Sequence, residues 1–571
     1  MMVSNHENKD DWRTWDFSAL MAVYSDLENE ALNTGTVPGW LEAWSRVAER
    51  CDELYNRLYV ATTVDTSDQK AQEAFEGFMQ HKYPLWQSAE QRLKQKFLKS
   101  GLSVKGMEIP MRNMRAEADL FREANLELFA QEEKINSAHD QVMGAQTVEW
   151  QGQERTARQM EAALLETDRE TRRAGWEKLA RRQLRDREII NRQWGEYYPL
   201  REKIAANAGL ADYRAYHWRQ AKRFDYTPED CKAFHQAIET VVVPAVTRLA
   251  ERRKKVLGVK RLRYYDLLVD LSAKDPLRPF QNARELTDKV LATFSALDPV
   301  LGGYFRLMDR EGLLDLDNRV NKAYGAYCAD FTYVRRPFIF ANAVGIHDDV
   351  QSLLHEGGHA FHCFERFRLP YFHQFSETSL PMEFAEVASM SMEFLAAPYL
   401  ESRYGSFYSS ADAARALAEN LETALQFWPF MSMVDEFQHW AYENPRQGAD
   451  PAACDAQWAR LEARFRPHID WSGYEDVMMT GWQRKDHIHQ SPFYYIEYGL
   501  ALLGAAQVWR NSLSDPAGAL AGYRAALSLG GTASLPDLFK AAGARLAFNA
   551  ATLRQAVDLM ESRLREIEAD Y

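Results

Sequence analysis

The sequence predicts a mostly α-helical protein with one small sheet. Apolar residues recur at helical spacing through most of the 571-residue chain. Helix start and stop signals punctuate that pattern at intervals. A single region, 323–346, departs from it with short aromatic-rich runs of strand character. No repeat of fixed period is present, which argues against a solenoid.

A chain this long exceeds what one compact core accommodates, so two or more lobes are expected. We place an N-terminal helical lobe at residues 1–150 and a larger helical region at 151–571. Asp16 or Ser18 opens the first helix, and Pro38-Gly39 separates it from the next. Ser67-Asp68 starts another that runs toward Lys99 and stops before Gly101. After a break at 101–112 the chain reads as helix to about 205, interrupted by a strand-like stretch, Gln146 to Trp150, with a turn at Gly152. Thr227-Pro228-Glu229-Asp230 is a strong start signal, with Thr at the N-cap, Pro at the first helical position and acids in the first turn. Pro244 is expected to kink that helix or begin another. Tyr324 to Phe331 and Pro337 to Ala343, separated by Arg335-Arg336, read as two antiparallel strands. They offer an edge for an extended peptide or serve only to position the helix after them. Helices resume over 376–445 and from 492 onward, with breaks at Gly530-Gly531 and Pro536.

Composition narrows the function. Hydrophobic residues make up 46% and charged residues 26%, as in ordinary globular proteins. A formal net charge of −13 argues against a nucleic-acid binder, which needs clustered Lys and Arg on phosphate. The basic runs Arg252 to Lys255 and Arg181 to Arg187 have acidic neighbours and read as solvated helix faces. Five scattered cysteines without C-x-x-C spacing imply neither a disulfide framework nor a thiolate zinc site. Cys363 is expected to be a buried thiol. The polar stretch Met1 to Asp16 lacks an apolar leader, and no segment approaches the roughly 18–20 apolar residues a membrane span needs. The expectation is a cytoplasmic protein with no membrane partner.

Chemistry concentrates in Val350-Gln351-Ser352-Leu353-Leu354-His355-Glu356-Gly357-Gly358-His359-Ala360-Phe361-His362. Val350, Leu353, Leu354, Phe361 and Phe364 keep helical spacing, and Asp348 or Asp349 can cap the N-terminus. On a helix, H-E-x-x-H sets two imidazoles one turn apart beside a carboxylate, a place to hold zinc. Gly357 and Gly358 cost roughly 1 kcal/mol each against alanine. That cost is understandable if a substrate or a second helix passes close to the backbone.

A catalytic zinc takes three protein ligands and keeps an open position, so a third ligand must come from another element. The metzincin pattern is excluded, because His362 and Glu365 stand where it requires Gly and His. Glu383 and Glu386, one turn apart among apolar residues and sharing a face with Met390 and Glu393, are the candidates. His362 is expected near the site but not on the metal. A further cluster, His487-Ile488-His489-Gln490-Ser491-Pro492-Phe493-Tyr494-Tyr495-Ile496-Glu497-Tyr498-Gly499, offers imidazole and phenol donors suited to a developing oxyanion, or to aromatic packing.

Taken together, His355 to His359, Ala385 to Phe394 and Pro492 to Gly499 resemble the thimet oligopeptidase and oligoendopeptidase F family of zinc metallopeptidases, most closely its Pz-peptidase-like oligoendopeptidases. Weaker matches run from about Trp150 through Arg223 to Asp230 and on to Ala541-Ala542-Gly543. The resemblance implies a two-lobed helical metallopeptidase with a deep central channel, one zinc ion and short peptide substrates. It implies His355 and His359 as ligands, Glu356 as general base, and Glu386 as third ligand, because Ser389 completes the family's E-x-x-S. It also implies an oxyanion-stabilising role for His487, with His489 close enough to compete, and for Tyr498 and Tyr495 ahead of Tyr494. The rival enzyme class is a zinc carboxypeptidase or dipeptidyl carboxypeptidase, and the rival outside enzymes is a helical peptide-binding protein.

Overall fold

The computed structural model describes residues 11–271, 276–319, 321–323 and 325–569. Most of the N-terminal polar stretch, residues 1–10, and Tyr324 of the first predicted strand lie outside them. The fold is overwhelmingly helical, with two small sheets. The chain divides into two compact units, each assembled from separated stretches. The first comprises the described residues through Ala118, Arg278–Ser409 and Asn511–Ala544. The second comprises those of Asp119–Leu277, Ser410–Arg510 and Arg545 onward. Residue 150, where the sequence suggested a boundary, lies inside the second unit.

In the first unit, Phe17–Asn29, Val37–Val64, Gln69–His81 and Tyr83–Ser100 form helices around Trp40, Trp44, Phe78 and Phe97. Asp16 caps the first, its carboxylate accepting from the Ser18 N–H, and Asp68 caps the third through the Lys70 and Ala71 N–H groups. The single helix expected from Asp68 to Lys99 is two, broken at Lys82. Pro84 lacks an N–H and its ring crowds the carbonyl four residues back, so the helix restarts there. Gly101, at φ +66°, ends the second piece as expected of a left-handed cap.

The sheet of this unit contains the predicted antiparallel pair. Tyr327–Phe331 runs against Arg336–Ala343, with Tyr327 opposite Phe340 and Phe331 opposite Arg336. A third strand, Leu314–Asp317, joins the other edge of Arg336–Ala343 in parallel, with Leu314 opposite Ile339. The sheet is therefore mixed, with Arg336–Ala343 at its centre. Its last residues turn through Gly345, φ +92°, into the helix His347–Arg366.

The second unit carries the strand-like interruption as a hairpin, Thr147–Trp150 against Gln153–Thr156. Gln151 and Gly152 both take positive φ, which matches a two-residue turn to the strand twist. The Thr227 signal opens the helix Pro228–Leu257 with a reciprocal capping box to Asp230. Pro244 neither ends that helix nor begins another. Burial of Val241, Val242, Ala245 and Val246 holds the backbone helical on both sides, and proline forfeits only one ladder bond. The basic runs lie in ion pairs, Arg182 with Asp186, Arg187 with Asp455 and Arg253 with Glu422. No described helix is long and apolar enough to cross a membrane.

Candidate metal centre

The H-E-x-x-H segment lies in the middle of the helix His347–Arg366. Asp349 fixes its start by accepting from the backbone N–H groups of Val344, Gly345 and Ile346 at 2.8–3.0 Å. Val350, Leu353, Leu354 and Phe361 are buried along one face. The helix Met382–Ala396 packs against this helix, with Gly358 at the crossing. A Cβ there would stand 2.6 Å from Ser389 Cα and 2.7 Å from the Ala388 carbonyl oxygen. At Gly357 it would stand 2.6 Å from Cζ of Phe294. The glycine pair thus admits a second helix on one side and an aromatic ring on the other. The Tyr523 hydroxyl braces the crossing by donating to the Ala388 carbonyl at 2.8 Å.

This crossing brings Glu386 to the two motif histidines. Glu386 Oε2 is 3.4 Å from His355 Nε2 and 3.8 Å from His359 Nε2. Ligand atoms of the three residues all lie within 4.8 Å of one another. Two donors on one tetrahedral zinc, each at about 2.1 Å, stand about 3.4 Å apart, so this donor set fits the ion. Glu383, a turn earlier, is buried but is not in that group. His362 is buried edge-on against Phe384, and it too is outside the group. Ser389 donates to Glu386 Oε2 at 3.1 Å, which orients the carboxylate.

Sequence reasoning gave Glu393 no role. Its Oε1 is 2.8 Å from His355 Nδ1, the arrangement that turns the opposite ring nitrogen toward a metal. The available signal was its position two turns after Glu386 on the same face. Burial disfavours charge on His355, but the hydrogen bonds and charges of Glu386 and Glu393 outweigh it and hold its pKa well above the usual value. Burial lowers His359 to about 4, leaving a neutral ring. Burial would raise Glu386, yet the His355 bond and the two imidazoles keep it at about 2. His355 and Glu386 thus hold each other's charge, and a divalent cation bound by both would take the place of the His355 proton.

Glu356 is buried, and burial pushes its carboxyl up to about 7. Its Oε2 has no hydrogen-bond partner among the described residues. Such an orphaned oxygen is costly in a purely structural role and useful to a group that must exchange a proton. Cys363, one turn past the motif, is buried with its Sγ 2.7 Å from Asp330 Oδ1.

The His487 cluster lies in the second unit. The His487 ring centre is 4.9 Å from Tyr495, 5.8 Å from Tyr494 and 6.2 Å from Tyr498. His489 is elsewhere, fully buried against His139, Trp194 and Trp482. Tyr495 is buried against Phe427 and Phe430, whereas His487, Tyr494 and Tyr498 are half-buried.

Residues 163–558, a span that includes both clusters, match the model of peptidase family M3. The chain belongs to peptidase family M3. Among curated relatives, it is 24% identical over 395 residues to an oligoendopeptidase F homolog of Borreliella burgdorferi, covering 65% of this chain and 63% of that one. It is 24% identical over 384 residues to the chromosomal oligoendopeptidase F of Lactococcus lactis subsp. cremoris, covering 65% and 60%. The matched stretch thus spans less than two thirds of either relative. Likeness to solved structures extends further. PZ peptidase A with inhibitor 2 superposes with a TM-score of 0.88 at 25% identity, covering 97% of this chain and 99% of that one. A putative oligoendopeptidase F from Bacillus anthracis str. Ames gives 0.83 at 24% identity, covering 99% of both chains. The mostly helical M3 fold expected from the sequence is the fold observed.

Proposed function

We propose that this M3 peptidase is a zinc-dependent endopeptidase that hydrolyses internal bonds of short peptides, one zinc ion being held by His355, His359 and Glu386 at the catalytic centre. The supporting observation is the approach of Glu386 Oε2 to both motif imidazoles, at 3.4 and 3.8 Å, beside the orphaned Glu356 Oε2. When bound, zinc supplies Lewis acidity that makes water easier to deprotonate and a carbonyl easier to attack. Glu356 takes the attacking water's proton at Oε2 and returns it to the leaving amine, a role that a carboxyl near pKa 7 suits at neutral pH. Glu393 orients His355, and Ser389 orients Glu386. From the family resemblance, His487, Tyr498 and Tyr495 donate hydrogen bonds to the developing oxyanion. The enzyme acts in the cytoplasm on short peptides.

Glu356→Gln tests the assignment. It should abolish cleavage of an internally quenched peptide while metal content and far-UV circular dichroism stay those of the wild type. An active Glu356→Gln enzyme would remove Glu356 as the base. Cleavage inside a peptide amidated at its C-terminus separates this activity from a carboxypeptidase, which requires the free carboxylate.

A further inference from the structure

Within the second unit the helices Pro228–Leu257 and Ser410–Glu443 pack against each other, and each contributes a pair of residues one turn apart at the same place. The first offers Cys231 and His235, the second Asp435 and His439. All four are at most 1% exposed. Ligand atoms of Cys231, Asp435 and His439 lie within 4.8 Å of one another. His235 Nε2 is 2.8 Å from Asp435 Oδ2, and His439 Nε2 is 3.2 Å from that same oxygen.

The polar atoms at this place are poorly satisfied. Among the described residues, Asp435 Oδ1 and His235 Nδ1 have no hydrogen-bond partner, and His439 Nε2 has the 3.2 Å ion-pair contact with Asp435 Oδ2. The nearest acid to His235 Nδ1 is Glu436, at 3.8 Å. Arg214 Nη1 donates to His439 Nδ1 at 3.4 Å and also pairs with Glu443, so His439 offers Nε2 to an ion when its ring proton moves to Nδ1 and Arg214 turns to Glu443 alone. A buried carboxylate oxygen left open beside two imidazoles is costly without a partner.

We propose that Cys231, Asp435 and His439 form a second divalent-metal site, built from none of the catalytic-centre residues, with His235 fixing the Asp435 carboxylate. Sulfur, nitrogen and oxygen donors together favour a borderline-soft ion such as zinc over magnesium or calcium. On binding, the Cys231 thiol releases its proton, and thiolate and carboxylate balance the ion's two charges. The ion ties two long helices together and serves stability, since no donor of the site is exposed.

Cobalt(II) tests this, because a thiolate ligand gives a near-ultraviolet charge-transfer band and the His355, His359, Glu386 set contains no sulfur. The chain carrying His355→Ala and His359→Ala, stripped of metal and titrated with cobalt(II), should bind one equivalent and develop that band. Adding Cys231→Ser should remove both the band and the equivalent. Adding His439→Gln instead should abolish stoichiometric binding, which keeps the test valid if the serine variant misfolds. A folded double-histidine variant that binds no cobalt overturns the proposal, as does a band that survives Cys231→Ser and His439→Gln alike.

Discussion

Gly358→Ala probes the helix crossing on which the proposed metal centre depends. The added methyl would lie 2.6 Å from Ser389 Cα and 2.7 Å from the Ala388 carbonyl oxygen, where ordinary contact begins at 3.4 Å. Both obstacles are backbone, so no rotamer change relieves them. The helices must separate by about 0.8 Å. Overpacking of this kind costs about 1–3 kcal/mol, and alanine returns about 1 kcal/mol of helix propensity, so the net loss is about 0–2 kcal/mol. Activity should suffer more than stability. Glu386 precedes Ser389 by one turn on the displaced helix, and misplacement of about 1 Å in a catalytic constellation can cost about 10²-fold. Gly357→Ala is the control, because its methyl meets only the rim of the Phe294 ring, a side chain that can shift. With an internally quenched peptide, kcat/KM should fall about 100-fold in Gly358→Ala, with weakened zinc affinity, and much less in Gly357→Ala. Wild-type kcat/KM and zinc affinity in Gly358→Ala would refute the coupling of helix spacing to ligand position.

Glu393→Ala removes the partner of His355 Nδ1 and should weaken zinc binding about 10–100-fold, read by competition with a chromophoric chelator. Gly195→Ala, at an exposed position of the helix Arg187–Asn207 with nothing within 4 Å of the new methyl, should stabilise by about 0.5–1 kcal/mol in urea unfolding. Acid sensitivity should arise partly at His217, which burial and then the Arg223 and Arg201 charges depress to about 3. The unfolded chain alone protonates this histidine between pH 6.5 and 3, so the stabilisation is complete above 6.5 and declines by about 1.4 kcal/mol per unit below. His217→Phe should flatten that decline in urea midpoints compared at pH 7 and pH 5, and an unchanged pH dependence would contradict it.

What was legible in the sequence was local. The Thr227 capping box, the Asp16 and Asp68 caps and the Gly101 stop are set by residues within a turn of one another, and all appear in the structure. The H-E-x-x-H spacing needs only a helix, which the apolar face around Leu353 and Phe361 supplies. What resisted depended on contacts between distant segments. Glu383 and Glu386 are both buried on one helix, and only the crossing at Gly358 determines which reaches the histidines. The glycine pair announced its cost, but Ser389 and Phe294, which explain it, lie 31 residues onward and 63 back along the chain. Leu314–Asp317 is too short and acidic to signal a strand, because its pairing is parallel and non-local. Pro244 signalled a break that buried packing on both sides overrides. Cys231 and His439 lie far apart in sequence, so no spacing rule connects them.

The most direct test of the proposed centre compares Glu386→Ala with Glu383→Ala, measuring zinc bound per chain and cleavage of the quenched peptide in the same preparations. Glu386→Ala should lose one equivalent of zinc and all cleavage, while Glu383→Ala keeps its zinc and remains active. Full zinc content and turnover in Glu386→Ala, or their loss only in Glu383→Ala, would contradict Glu386 as the third ligand and with it the proposed catalytic centre.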